Sequence, residues 1–207
     1  MKLYYHPASP FARKALIVAS MLRVELETHM VDLFAGEGQA PDYLRLNPHG
    51  KVPTLVDGDF SLWESNAIVQ YLAMRAPESP LFPGGLQPRA DILRWQFWES
   101  SGWSQACSVY VDEHVLKPIL GRGEPDPEEL RKGDEKFHRF ATVLDGHLAN
   151  RSWLVGNLMT IADLSVAPVL MYAESAKYPM DGYGHIAAWF ARIRQLSAWV
   201  ASEPRPA

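Results

Sequence analysis

The chain has 207 residues, 47% hydrophobic and 21% charged, with a formal net charge of −4. This is the composition of a soluble globular protein with room for one large domain or two small ones, and it carries no basic footprint for nucleic acid or an anionic membrane surface. The single cysteine, Cys107, excludes an intramolecular disulfide and a CxxC redox pair.

Apolar runs such as Ala15–Ala19 are far too short to span a bilayer. Met1-Lys2-Leu3 leads directly into a strand-like segment with no secretory h-region, so a cytoplasmic protein is expected. Lys2–His6 is rich in strand formers and Pro7 stops it. Ser9-Pro10 reads as a helix cap followed by Pro at the first helical position. Phe11, Ala15, Val18, Ala19 and Leu22 then mark one helix face. Glu25–Leu33 is a second strand, and a polar connection with one short helix runs to Asn47.

Val52-Pro53 falls where a third strand should begin. Pro brings no amide donor and allows a cis bond, and a strand starting this way leaves its edge at Val52 open to another extended backbone. Pro53–Val56 and Phe60–Trp63 flank Asp57-Gly58, a hairpin signal. Ser65 is expected to cap a helix carrying Ile68, Tyr71 and Leu72 on its apolar side, and Glu64 adds a carboxylate beside it. The order predicts a small mixed sheet: a parallel β-α-β unit extended by an antiparallel hairpin.

Residues 76–88 are rich in Pro and Gly and read as a linker, after which no strand pattern recurs. A long Trp-rich helix is predicted over 89–119. A second begins at Asp126-Pro127 and carries Phe137, Phe140, Ala141, Leu144 and Leu148 as its stripe. Thr160-Ile161-Ala162-Asp163 is a capping box, with Met159 and Leu164 placed as a staple. The helix it opens is apolar on most faces and therefore central, with a kink expected at Pro168. A last helix is predicted over 185–200, and Pro204 and Pro206 close the chain.

Four motifs in this order and spacing resemble those of the cytosolic glutathione transferases: Ser9-Pro10-Phe11, Asn47-Pro48-x-Gly50-Lys51-Val52-Pro53, Glu64-Ser65-Asn66-Ala67-Ile68 and Thr160-Ile161-Ala162-Asp163. The resemblance covers essentially the whole chain and points to the serine-type members, in particular a theta/delta/zeta-like bacterial branch. It implies an α/β thioredoxin-like N-terminal domain (β-α-β-α-β-β-α) over residues 1–77, a linker over 78–88 and an all-α domain over 89–207. It also implies a homodimer and glutathione as co-substrate, with no metal.

Carried onto this sequence, the resemblance makes Pro53 the cis-proline and lets the Val52 backbone pair with the cysteinyl part of glutathione. Glu64 and Ser65 take the γ-glutamyl end, and Lys51 with His49 the glycyl carboxylate. Gly50 stands where some serine-type relatives have a histidine. Ser9 is the catalytic candidate, its hydroxyl donating to the thiolate, although Ser before Pro is by itself most often a cap. Tyr4 and Tyr5 are rival thiol partners. Phe11, Trp103, Tyr110 and His114 are candidates for the electrophile pocket. The implied activity is conjugation of glutathione to small hydrophobic electrophiles. Peroxidase, dehalogenase or isomerase chemistry on the same fold, or a non-catalytic scaffold, are the alternatives.

Overall fold

The computed structural model describes residues 1–204 and divides the chain into two compact units, 1–84 with the chain from Gln195 onward, and 85–194. The first unit contains a four-stranded sheet in the order β2-β1-β3-β4, formed by β1 (Lys2–Tyr5), β2 (Glu27–Met30), β3 (Thr54–Asp57) and β4 (Phe60–Trp63). β1 and β2 are parallel, and the two other pairings are antiparallel, with Tyr4 opposite Thr54 and Thr54 opposite Trp63. Helices α1 (Pro10–Met21) and α3 (Ser65–Met74) pack together, while the six-residue α2 (Pro41–Leu46) precedes the third strand. The order is that of the thioredoxin-like arrangement expected.

Leu3, Leu55, Ala15, Ile17, Val18, Ile68, Val69 and Leu72 form the buried centre of this unit. The hairpin forms with Gly58-Asp59 at its tip, one residue later than the Asp57-Gly58 centre expected, because Asp57 still pairs with Phe60. Gly58 takes φ +60°, which a side chain would disfavour. Leu81 and Phe82 are buried, so the division falls at Gly84/Gly85 rather than across a free linker at 78–88.

The end of the chain also departs from a single helix over 185–200. The chain forms α9 (Gly184–Arg194), breaks, and re-enters the first unit as α10 (Ser197–Ala201) against α1. Arg13, buried at 3% exposure, holds it there. Its guanidinium donates to the Trp199 carbonyl at 2.8 Å and to Ser202 Oγ at 3.0 Å, and lies 3.9 Å from the centre of the Trp199 ring. Pro206 lies outside the described residues.

In the second unit the helix predicted over 89–119 is present as α4 (Leu86–Trp98), α5 (Ser104–Val111) and α6 (Lys117–Ile119), joined by two π-type turns at Glu99–Trp103 and Asp112–Leu116. The first turn is where the helix meets Phe140: a Cβ at Gly102 would sit 1.8 Å from that ring. Helix α7 (Pro127–Leu148) starts at the Asp126 cap, whose carboxylate accepts from Glu128 N–H and Glu129 N–H. Helix α8 (Ile161–Val166) tightens to a 3-10 form over Ala167–Tyr172, where the kink at Pro168 was expected. No helix among the described residues is long and apolar enough to cross a membrane.

The capping box forms, and it does more than start α8. Asp163 has no exposed surface and accepts four hydrogen bonds, from Thr160 N–H, Thr160 Oγ1, Leu154 N–H and the Trp189 indole. Burial pushes its carboxyl up, while these donors pull it down. Both carboxylate oxygens face donors only, so an amide in its place must turn an NH2 group against an N–H. Asp163→Asn is therefore expected to lower the unfolding free energy by about 3 kcal/mol, read from urea denaturation.

Candidate functional site

The end of β1, the start of β3 and the end of β4 lie at the same end of the sheet, because Tyr4 pairs with Thr54 and Thr54 with Trp63. Val52-Pro53 immediately precede β3, Glu64-Ser65 immediately follow β4, and Ser9 lies four residues beyond β1, so the pairing register brings their segments to one end of the sheet. Among the sequence candidates, these are the ones the sheet brings together.

Ser9 caps α1 in an extended conformation, and its Oγ accepts from Ala12 N–H at 3.2 Å. Acceptance uses a lone pair and leaves the hydroxyl proton available to donate. The N-cap role and a donor role are therefore compatible at one oxygen. The hydroxyl also stands at the positive end of a twelve-residue helix.

Val52 and Pro53 are buried, joined by a cis peptide bond, and precede the ladder, which begins at Thr54. Their position is set by a polar strut that sequence reasoning missed. The Lys51 carbonyl accepts from Tyr43 Oη at 2.6 Å and from Asn47 Nδ2 at 2.8 Å. Both donors also reach Thr54 Oγ1, at 2.9 and 3.1 Å. Burial pushes the Tyr43 phenol up, which keeps it a neutral donor. The available signal was Asn47 within its own motif, two residues before His49, whose N–H donates to Asn47 Oδ1 at 3.0 Å.

Gly50 is demanded by the same turn. Its φ is +62°, and a Cβ would lie 2.4 Å from the Gln39 amide nitrogen and 2.6 Å from the Gly38 carbonyl oxygen. A histidine here has no room without moving backbone. Lys51 and His49 are both exposed beside it, with the His49 ring edge-on to Trp63 at 4.8 Å.

Glu64, rather than Ser65, is the N-cap of α3, and its side chain makes no capping bond. It is an exposed non-glycine residue at φ +72°, a conformation costing on the order of 1–3 kcal/mol unless the surroundings hold it. Ser65 is the first helical residue, largely buried, so the amides of the opening turn of α3 face the same end of the sheet as the Glu64 carboxylate.

The remaining candidates separate. Tyr4 is half-buried, packed against the buried cluster of Val31, Tyr43 and Val52 and stacked on His29 at 5.2 Å. Phe11 is partly exposed in the first turn of α1. Trp103 has no exposed surface, packed 5.1 Å from Phe137 and 5.9 Å from Trp98, and a side chain so enclosed cannot line an open pocket. Tyr110 is likewise core, its hydroxyl donating to Asp134. His114 is half-buried on the second π-type turn, where burial and the nearby Lys177 lower its pKa. No group of three or more potential metal ligands is gathered among the described residues.

Residues 1–74 match the family description "Glutathione S-transferase, N-terminal domain" and residues 105–196 "Glutathione S-transferase, C-terminal domain". The chain is 34% identical to glutathione S-transferase 3 of Zea mays, over all of this chain and 96% of that one. It superposes on glutathione transferase F7 from Populus trichocarpa with a TM-score of 0.89 at 27% identity, covering 97% and 96% of the two chains. It also superposes on URE2P8 from Phanerochaete chrysosporium, a structure solved with oxidized glutathione, at TM-score 0.86 and 27% identity, covering 97% and 92%. The plant relatives are phi-class transferases, which corrects the expected theta/delta/zeta-like bacterial branch. The motifs behind that expectation mark the shared sheet end and caps, and these carry no class information.

Glu64→Gly separates strain from chemistry. Glycine adopts φ +72° freely, so the unfolding free energy should change by less than about 1 kcal/mol. Calorimetry with glutathione reads the chemistry separately: a tenfold or greater loss of affinity marks the Glu64 carboxylate as a ligand group, and unchanged affinity removes it from the site. With both halves of the chain matched in sequence and its full length matched to close relatives, the chain belongs to the glutathione S-transferase family.

Proposed function

We propose that this chain binds glutathione across the sheet end just described and conjugates its sulfur to small hydrophobic electrophiles. The observation that carries the reading is Ser9: a hydroxyl at a helix N-terminus whose oxygen accepts from Ala12 N–H and whose proton is left to donate. A free thiol has a pKa of roughly 8.5, and each unit of depression reflects about 1.4 kcal/mol of preferential thiolate stabilisation. A hydroxyl donor and the α1 N-terminus both act in that direction.

In this reading the Val52 backbone, which lies ahead of β3 and outside its ladder, pairs with the cysteinyl segment as a short extended stretch. The Glu64 carboxylate takes the γ-glutamyl ammonium, and the Ser65 hydroxyl with the first amides of α3 takes its carboxylate. Lys51 and His49 are the exposed groups for the glycyl carboxylate. Ser9 donates to the sulfur and does not attack. The thiolate forms the bond to the electrophilic carbon, and that carbon's leaving group departs with its electron pair, or an addition product takes up a proton. Phe11 offers apolar surface next to Ser9 for the electrophile.

We further propose a cytoplasmic homodimer. Leu86, Leu93 and Phe97 are exposed along one face of α4, an apolar supply that a second copy would cover. Sedimentation of the free protein should give twice the mass of one chain.

Ser9→Ala tests the chemistry. One hydrogen bond to an ionised sulfur is worth roughly 1.5–3 kcal/mol, so kcat should fall about ten- to a hundredfold with glutathione KM within about threefold. The thiolate absorbance of the glutathione complex should titrate at higher pH than in the unsubstituted enzyme. Unchanged kcat in Ser9→Ala would remove Ser9 from the mechanism.

A further inference from the structure

We propose that His6 is a positioning residue for Ser9, acting as a neutral hydrogen-bond acceptor that fixes the turn on which the Ser9 hydroxyl is carried. The proposal rests on the reading of Ser9 given above, and it adds a residue outside the glutathione contacts named there.

Two bonds run from His6 onto that turn. The Ser9 N–H donates to the His6 carbonyl at 2.9 Å, and the Ala8 N–H donates to His6 Nδ1 at 3.2 Å. The turn is His6-Pro7-Ala8-Ser9, with Pro at its second position, where a fixed φ is favoured. An imidazole Nδ1 accepting from the amide two residues on repeats the bond that Asn or Asp makes at the first position of such turns. The ring is held edge-on by Phe34, with centres 5.5 Å apart.

A backbone amide can only donate, so His6 Nδ1 must be unprotonated and the neutral ring carries its proton on Nε2. Without an acceptor at this position one of the two bonds is lost. The turn then loosens, and the Ser9 hydroxyl loses part of its aim at the sulfur.

The groups around the ring neither replace that bond nor block access. His6 borders a cleft of about 410 Å³ in the first unit, shared with Tyr5 of β1, Thr28 of β2, Arg13 of α1, and Ser202 and Glu203 beyond α10. Arg13 and Glu203 are 3.8 Å apart and offset one another's charge. On the Phe34 loop, the Asp32 carboxylate is engaged by the Phe34 and Ala35 amides.

The test compares wild type, His6→Asn, His6→Ala and Ser9→Ala, assayed as kcat and kcat/KM with an activated aryl halide and glutathione at one fixed pH. Asn keeps an acceptor at the turn, and Ala removes it. His6→Asn should stay within about threefold of wild type, whereas His6→Ala should lose about three- to tenfold in kcat, the worth of one hydrogen bond, with glutathione affinity by calorimetry unchanged. Wild-type kcat in His6→Ala, or a His6→Asn no more active than His6→Ala, would overturn the proposal. Should His6→Ala fail to fold, His6→Phe, which keeps a ring against Phe34 and lacks the acceptor, takes its place with the same expected loss. If Ser9→Ala keeps wild-type kcat, the reading of Ser9 itself has failed. If Ser9→Ala is impaired while the variant without the acceptor is not, only the role of His6 is lost.

Discussion

The Lys51 carbonyl is the fixed point of the first unit. Tyr43 and Asn47 both donate to it, and both also reach the Thr54 hydroxyl, so three side chains from two segments tie down one peptide. An unpaired carbonyl here would be costly beside the buried cluster of Val31, Tyr43 and Val52. Satisfying it places Val52 and Pro53 ahead of the ladder with an open edge. Gly50 completes the constraint, since only a residue without Cβ passes between Gln39 and Gly38. The placing of Val52 and Pro53 is thus a consequence of satisfying buried polar groups and of where the ladder starts.

Two residues at the start of α1 show the same economy in another form. At its start, one serine oxygen closes the helix N-terminus and keeps a proton for other use. One turn later, Arg13 is turned away from solvent to receive the returning chain through the Trp199 carbonyl and ring. The helical unit has its own counterpart in Asp163, where four donors converge on a side chain with no exposed surface. At Arg13 and at Asp163 a polar group is buried with its partners supplied, and it joins separate elements of the chain.

Much of the fold was legible because its signals are short. Ser9-Pro10, Asp126-Pro127 and Thr160 to Asp163 each satisfy orphan amides within one helical turn, so their spacing states the result. The hairpin was legible for the same reason, although the tip shifted by one residue once Asp57 paired with Phe60. The pocket residues were not. Trp103 and Tyr110 share a helix face by period, but period does not say which face the rest of the unit will bury, and packing against Phe137 enclosed both.

By itself the sequence determined the element order, the helix starts, the Val52-Pro53 edge and the family motifs, since each rests on interactions reaching only a few residues. Tertiary structure alone decided that Glu64 stands at positive φ ahead of α3, that the Lys51 carbonyl is held by Tyr43 and Asn47, and that the chain end returns to Arg13. That last bond joins residues 186 positions apart. No local pattern encodes such a contact, because its energy exists only once the sheet and helices have brought both partners out of water.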